Sequence, residues 1–305
     1  MALKMRDILK YALLLTITFG CIGEHRTIDY FGQNPPLDSP QIFAPDVVSV
    51  KNRLDYGISF SPDGQELAFG ILDIRDESGQ IYYSKKFRNT WSKPELASFL
   101  GTRSMFLPFF TPDGKSLLYT QTQPECATYM TDIWMVNKTP DGWDKPIKLP
   151  EPINSDTREG SVCMTLDKTL YFSSGRNCSG VANCPAKIFY SKLLNGNYLT
   201  AENAVQLNIQ GDNESIYVSA DESFAILSNV TKNETNSDLY LSYRNANNEW
   251  NQPQKLDSTI NTKDWELRPF VSPDKKYLFF TRMRFGKQGV VESDIYWVST
   301  KNILK

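Results

Sequence analysis

Short apolar runs that alternate with polar positions recur along most of the chain, as in Gly57-Ile58-Ser59-Phe60, Leu117-Leu118-Tyr119 and Tyr277-Leu278-Phe279-Phe280. A period of two sends successive side chains to opposite faces, which is the pattern of a half-buried strand and not of a helix. Turn sequences stand between paired runs: Ser61-Pro62-Asp63-Gly64, Thr111-Pro112-Asp113-Gly114 and Ser272-Pro273-Asp274-Lys275. Weaker copies are Thr165-Leu166-Asp167-Lys168 and Ser219-Ala220-Asp221-Glu222. Proline presets φ, aspartate bonds the backbone ahead of it and glycine tolerates positive φ, so each copy predicts a β-hairpin. The central aspartates fall at 63, 113, 167, 221 and 274, a spacing of 50 to 54 residues. A near-constant period of this length is the mark of a repeat architecture.

Each repeat continues with a third predicted strand: Ile81-Tyr82-Tyr83-Ser84, Asp132-Ile133-Trp134-Met135, Lys187-Ile188-Phe189-Tyr190, Asp238-Leu239-Tyr240-Leu241 and Asp294-Ile295-Tyr296-Trp297. A fourth begins at Trp-x-x-Pro in three repeats, from Trp91, Trp143 and Trp250. The fifth repeat reaches Lys305 without one. Pro40 to Ser49 resembles the fourth-strand segment Pro146 to Ser155 and belongs to no other repeat. Pairing it with the third strand of repeat five would bury Ile42, Phe43, Val47 and Val48 and cover a sheet edge. Four strands per repeat, repeated radially, predict an all-β fold. The expected form is a single five-bladed β-propeller of four-stranded antiparallel blades over residues 40–305, closed by an N-terminal strand that completes the last blade. Residues 21–39, with Gly23, Asn34, Pro35 and Pro36, are expected to be a tether.

The Ser-Pro-Asp-Gly hairpin followed by Asp-Ile-Tyr resembles the TolB-type (WD-like) propeller repeat of bacterial envelope proteins. Leu170-Tyr171-Phe172-Ser173-Ser174-Gly175-Arg176 resembles that repeat in Bacteroidetes. The resemblance covers roughly residues 40–305 and implies architecture much more than activity, because one fold hosts many functions.

The N-terminus departs from the strand pattern. Lys4, Arg6 and Lys10 precede an apolar run from Tyr11 to Phe19, shorter than the ~20 residues of a spanning helix and suited to a signal-peptide core. Residues 1–20 are read as that signal peptide. Gly20-Cys21 at its end resembles the bacterial lipobox, which implies lipidation of Cys21 and an exported lipoprotein of the outer membrane, on its periplasmic or surface face. Thr18 and Phe19 depart from the usual residues before the cysteine. Losing Lys4, Arg6, Lys10 and Asp7 with the signal peptide moves the net charge from −2 to −4. No basic stripe marks the mature chain, so nucleic acid is not an expected partner.

Export admits disulfides. Besides the anchor there are Cys126, Cys163, Cys178 and Cys184. The expectation is Cys178–Cys184, or a cross-link from Cys126 to that loop, because both loops join second and third strands in adjacent repeats. The single histidine, His25, precedes the repeats, which removes His-centred metal sites and nucleophile–His pairs. No cofactor or metal is expected.

Counting back eight residues from each turn aspartate aligns Asp55, Met105, Glu159, Asn213 and Glu266, with Glu214 beside Asn213. In the family's geometry these positions face the channel, at the rim where Arg176 and Arg282 follow second strands. An acidic ring with arginines suits a cation, a sugar or a basic peptide, or else the groups bond the backbone and one another. The resulting expectation is a monomeric, non-catalytic module that binds an envelope protein or glycan at the funnel. The alternative is a carbohydrate-active enzyme using funnel carboxylates as a glycosidase does.

Overall fold

The computed structural model describes residues 28–73, 78–123, 130–176, 184–231, 236–287 and 289–305. Cys21, Cys126 and Cys178 lie outside them. The fold is all-β and propeller-like; four repeats each form a four-stranded antiparallel meander, and the fifth forms three strands joined by an N-terminal one and linked to the first by a parallel bridge between Leu54 and Ser293. Sheet I comprises Leu54–Phe60, Glu66–Asp73, Ser78–Phe87 and Glu95–Leu96. Sheet II comprises Met105–Phe110, Ser116–Thr122, Thr131–Thr139 and Ile147–Lys148. Sheet III comprises Glu159–Met164, Leu170–Ser174, Lys187–Ser191 and Glu202–Asn203. Sheet IV comprises Asp212–Val218, Phe224–Val230, Asp238–Tyr243 and Gln254–Lys255. Sheet V comprises Trp265–Val271, Tyr277–Gly286 and Gly289–Ser299, with Gln41–Ile42 as its outer strand. That strand is antiparallel to the third, pairing Gln41 with Trp297 and Ile42 with Tyr296.

The turn aspartates act as their chemistry predicts. Asp63, Asp113, Asp167, Asp221 and Asp274 each accept from the backbone N–H two residues on. The residue between is left-handed in every turn: Gly64, Gly114, Lys168, Glu222 and Lys275. Fourth strands are only two residues long, which limits the exposed edge. In four of the five sheets a side chain beyond the fourth strand fastens it to the third. Asn154, Asn208 and Asn261 accept from the N–H and donate to the carbonyl of Ile133, Ile188 and Leu239. Ser49 does the same to Ile295 with one hydroxyl. The N-terminal segment therefore carries the fastening group as well as the strand.

Neighbouring sheets are strapped by hydrogen bonds. Phe110 N donates to Ser59 Oγ between II and I, and Thr131 Oγ1 to Glu159 O between II and III. Ile216 N donates to Ser161 Oγ between IV and III, and Arg268 N to Ser215 Oγ between V and IV. Gly57 N donates to Thr281 Oγ1, and Ser293 Oγ to Asp55 O, between I and V. Phe60, Phe69, Phe172, Phe279 and Trp297, all with essentially no exposure, fill the spaces around the strands.

Two expectations are corrected. Residues 28–38 do not belong to a tether: Tyr30 is 3% exposed and packs edge-on against Phe60 and Tyr277. Phe31 stacks on Trp91 at 4.7 Å, and Gln33 bonds Ile42 O and Ala44 N. The aromatic residues of this segment find a hydrophobic seam between sheets V and I, so it cannot stay in solvent. Within the closing segment Phe43 and Val48 are fully buried, whereas Val47 is 39% exposed, because Ala44 to Ser49 forms a tight turn that points one side chain outward.

Candidate functional site

The aligned acidic positions lie at the starts of first strands, and their carboxylates face inward to the connections between repeats. Asp55 accepts from Val50 N at 2.8 Å and Arg53 Nε at 2.7 Å, while Arg53 also donates to Val48 O. Glu159 accepts from Ser155 Oγ at 2.6 Å, Ser174 Oγ at 3.0 Å and Arg176 at 3.2 Å. Arg176 also donates to Pro152 O, Ile153 O and Ser174 Oγ. Glu266 accepts from Thr262 N and Oγ1 and from Arg282 Nε at 2.7 Å, and Arg282 donates to Ile260 O. Asn213 serves Ile209 N and O in the same way. In sheet II the position is Met105, buried beyond the short 3₁₀ turn Ser98–Leu100.

One device thus recurs. An acceptor holds the incoming loop, and an arginine covers that loop's carbonyls. Asp55, Glu159 and Glu266 have no exposed surface. Burial pushes all three carboxyls up, Asp55 to about 6, because the low dielectric disfavours the charged form. Arg282 lies inside the second strand, which runs on to Gly286.

A different group of charges is partly exposed at this end of the axis. All five first strands carry a bulge at equivalent places, as the register shifts show. Three bulge residues, Gly57, Leu107 and Arg268, are left-handed, with φ of 61°, 56° and 53°. A bulge re-aims the side chain it carries. At Arg268 it brings the guanidinium to Glu214 O and Ser215 Oγ, both at 2.8 Å, and to Glu214 Oε2 at 3.5 Å. The Tyr56 ring lies 5.0 Å from Arg268 Cζ, a cation–π distance. Arg158 approaches Glu214 at 3.7 Å and Asp212 at 3.9 Å from the other side.

Arg158 and Asp212 keep about a third of their side-chain surface, Glu214 and Arg268 less. Burial, then the neighbouring Glu214, pushes the Asp212 carboxyl up. Beneath this group the axis narrows to a cavity of about 30 Å³ between Gly57, Leu107, Ser161, Ile216 and Arg268. That holds about one water, so the axis is nearly filled beneath this group, which forms the axial basin.

Of the sequence candidates, Glu214 belongs to this basin; Asp55, Glu159, Glu266, Arg176 and Arg282 belong to the connections. Arg158, Asp212 and Arg268 were not singled out by counting back eight. The available signal was Pro108 and Pro269, prolines inside first strands, since proline within a strand marks a sheet edge or a bulge. Cys184 is disulfide-bonded. Cys163 is free and buried, its Sγ accepting from Val218 N. Among the described residues no group of three or more His, Cys, Asp or Glu could hold a metal, and no helix is long and apolar enough to cross a membrane.

No family model matches the chain, and no curated protein matches its sequence. Solved structures do resemble it at low identity. The catalytic domain of a Coprinopsis cinerea GH62 α-L-arabinofuranosidase is 9% identical with a TM-score of 0.49, over 88% of this chain and 95% of that one. The β-propeller domain of the Trilobed protease from Pyrococcus furiosus is 11% identical with a TM-score of 0.40, over 81% and 67%. A prolyl endopeptidase is 10% identical with a TM-score of 0.44, over 85% of this chain, which spans only 34% of that enzyme. At this level of similarity none of their activities transfers to the chain.

Proposed function

We propose that the chain is an exported, lipid-anchored, non-catalytic binding module. In this reading the five sheets are the blades of a closed five-bladed propeller of the TolB type. Its axial basin of Arg158, Asp212, Glu214 and Arg268 seats a protein or glycan segment. The observation that carries it is the consumption of Asp55, Glu159 and Glu266 by structural bonds, which leaves the mixed-charge, partly exposed basin as a polar feature on the axis among the described residues. Paired arginines and paired carboxylates suit alternating donors and acceptors on a ligand, and the small space beneath them, about 30 Å³, suits a surface partner more than a small substrate. Cys21 would hold the module at the outer membrane, so Cys21→Ser should release it or block its processing; a variant that still fractionates with membranes at wild-type size overturns the anchor.

A glycosidase-like reading rests on Asp212, whose carboxyl burial and then the neighbouring Glu214 push up, as suits a general acid. One experiment separates the two. Ligands recovered with the wild-type protein from its native membranes are purified and titrated against wild type, Arg158→Ala and Asp212→Asn. Saturable binding that weakens about tenfold or more in Arg158→Ala, without turnover, supports the binding module; about 1.4 kcal/mol of contact is enough for that. Turnover of a glycoside that Asp212→Asn abolishes establishes the enzyme instead.

A further inference from the structure

A second concave site lies away from the axis, between sheets III and IV. Its origin is a difference between equivalent positions. In three repeats the hairpin after the third strand carries a tryptophan beneath a cation from the end of that strand: Lys86 over Trp91, Lys138 over Trp143 and Arg244 over Trp250. Two of these rings are also plugged by a stacked aromatic residue. Phe31 stacks on Trp91, and Phe99 on Trp143 at 4.8 Å and 3°. Phe99 stands two residues beyond Ala97, whose N–H bonds Ile81 O; in sheet III Ala204 N bonds Ile188 O in the same way. The residue two beyond Ala204 is Gln206. Where sheet I supplies a ring, sheet III supplies an exposed amide, and a cleft of about 340 Å³ remains beside Trp250.

We propose that this cleft is a binding site for a single uncharged sugar ring. The size fits: at ~30 Å³ per water the space equals about eleven waters, so the occupant has roughly a dozen heavy atoms. Such a volume is at the lower end of small-ligand pockets, ~300–1,000 Å³. Charge excludes the common anions. Arg244 is neutralised by Glu222 at 2.6 Å and also committed to Tyr171 Oη and Asn248 O. Asp167, Glu222 and Glu249 against Lys192 and Arg244 leave the lining one charge negative, which disfavours phosphates and carboxylates. What remains suits hydroxyls over a ring: the aromatic walls of Tyr171, Tyr190 and Trp250, with the amides of Gln206 and Asn248 as paired donors and acceptors.

The test follows the Trp250 indole N–H resonance of the full chain, assigned with Trp250→Phe. Glucose, galactose, mannose and N-acetylglucosamine are titrated at millimolar concentration, with inorganic phosphate alongside. At least one sugar should shift the signal saturably and phosphate should not. Gln206→Phe, which restores the missing plug, should weaken the sugar about tenfold or more while leaving the melting temperature unchanged or higher. Arg158→Ala should leave it untouched. No shift with any of the four sugars, displacement by phosphate, or undiminished affinity in Gln206→Phe each overturns the cleft. Loss of sugar binding in Arg158→Ala but not in Gln206→Phe would place the sugar in the axial basin, overturning the cleft while supporting the basin.

Discussion

Asp55 has no exposed surface, and burial pushes its pKa from 3.8 up to about 6 although Arg53 and Val50 both donate to it. Between those values the native chain holds a proton that the unfolded chain has released. Linkage then makes the contribution of Asp55 to stability fall as pH rises through this window and remain at its lower level above pH 6. Glu159 and Glu266, raised by the same cause, add slope of the same sign. Asp55→Asn, uncharged throughout, should be less stable overall, because the amide offers a donor where Val50 N–H needs an acceptor. Its melting temperature should nevertheless fall less than that of wild type between pH 4 and pH 7. A carboxyl titration of Asp55 by NMR with its midpoint near 4, or parallel melting curves for the two proteins, would show that the Arg53 bond outweighs burial.

The N-terminal segment is an element without regular secondary structure whose place is set by aromatic packing. Tyr30 meets Phe43, Phe60, Tyr277, Phe279 and Trp297 within 6.4 Å between ring centres. Its hydroxyl reaches Asp274, and Asp29 O accepts from Trp91 Nε1. Deleting a large aromatic side chain from such a core costs about 3–5 kcal/mol, and Tyr30→Ala should therefore lower denaturant stability by about that much. A change under about 1 kcal/mol in urea melts would mean that the segment does not hold this position in solution. The sequence misled here because Asn34, Pro35 and Pro36 read as linker, and propensity says nothing of a seam waiting on two other sheets. The five hairpins were legible because Asp at a turn is a local device, complete within a few residues. The axial basin was not, because Arg158, Asp212, Glu214 and Arg268 come from three repeats and meet only through bulges that shift the register.

At the scale of the whole molecule, the straps between sheets run I to II, II to III, III to IV, IV to V and V to I, and the last depends on the two ends of the chain being brought together. Gln41–Ile42 covers the edge of sheet V, and Ser49 holds Ile295 as the asparagines hold their own third strands. That much was readable from the likeness of residues 40–49 to 146–155; the serine in place of asparagine was not, since a hydroxyl and an amide share only the ability to accept and donate. Phe43 and Val48 alone contribute ~1.5–3 kcal/mol each by burial, against the ~5–15 kcal/mol that separates folded from unfolded states. Without residues 39–49, Trp297 and Phe279 lose the ring packed against them, the third strand of sheet V becomes an open edge, and Tyr30 loses a neighbour. The damage spreads through the strap to sheet I, so the effect should reach every sheet and not stay local. Deleting residues 39–49 should lower the melting temperature sharply and promote aggregation, and hydrogen exchange should quicken first in Gly289–Ser299 and then in the first strand of sheet I. Protection lost only in Gly289–Ser299, with an unchanged melt, would show that the sheets stand without closure.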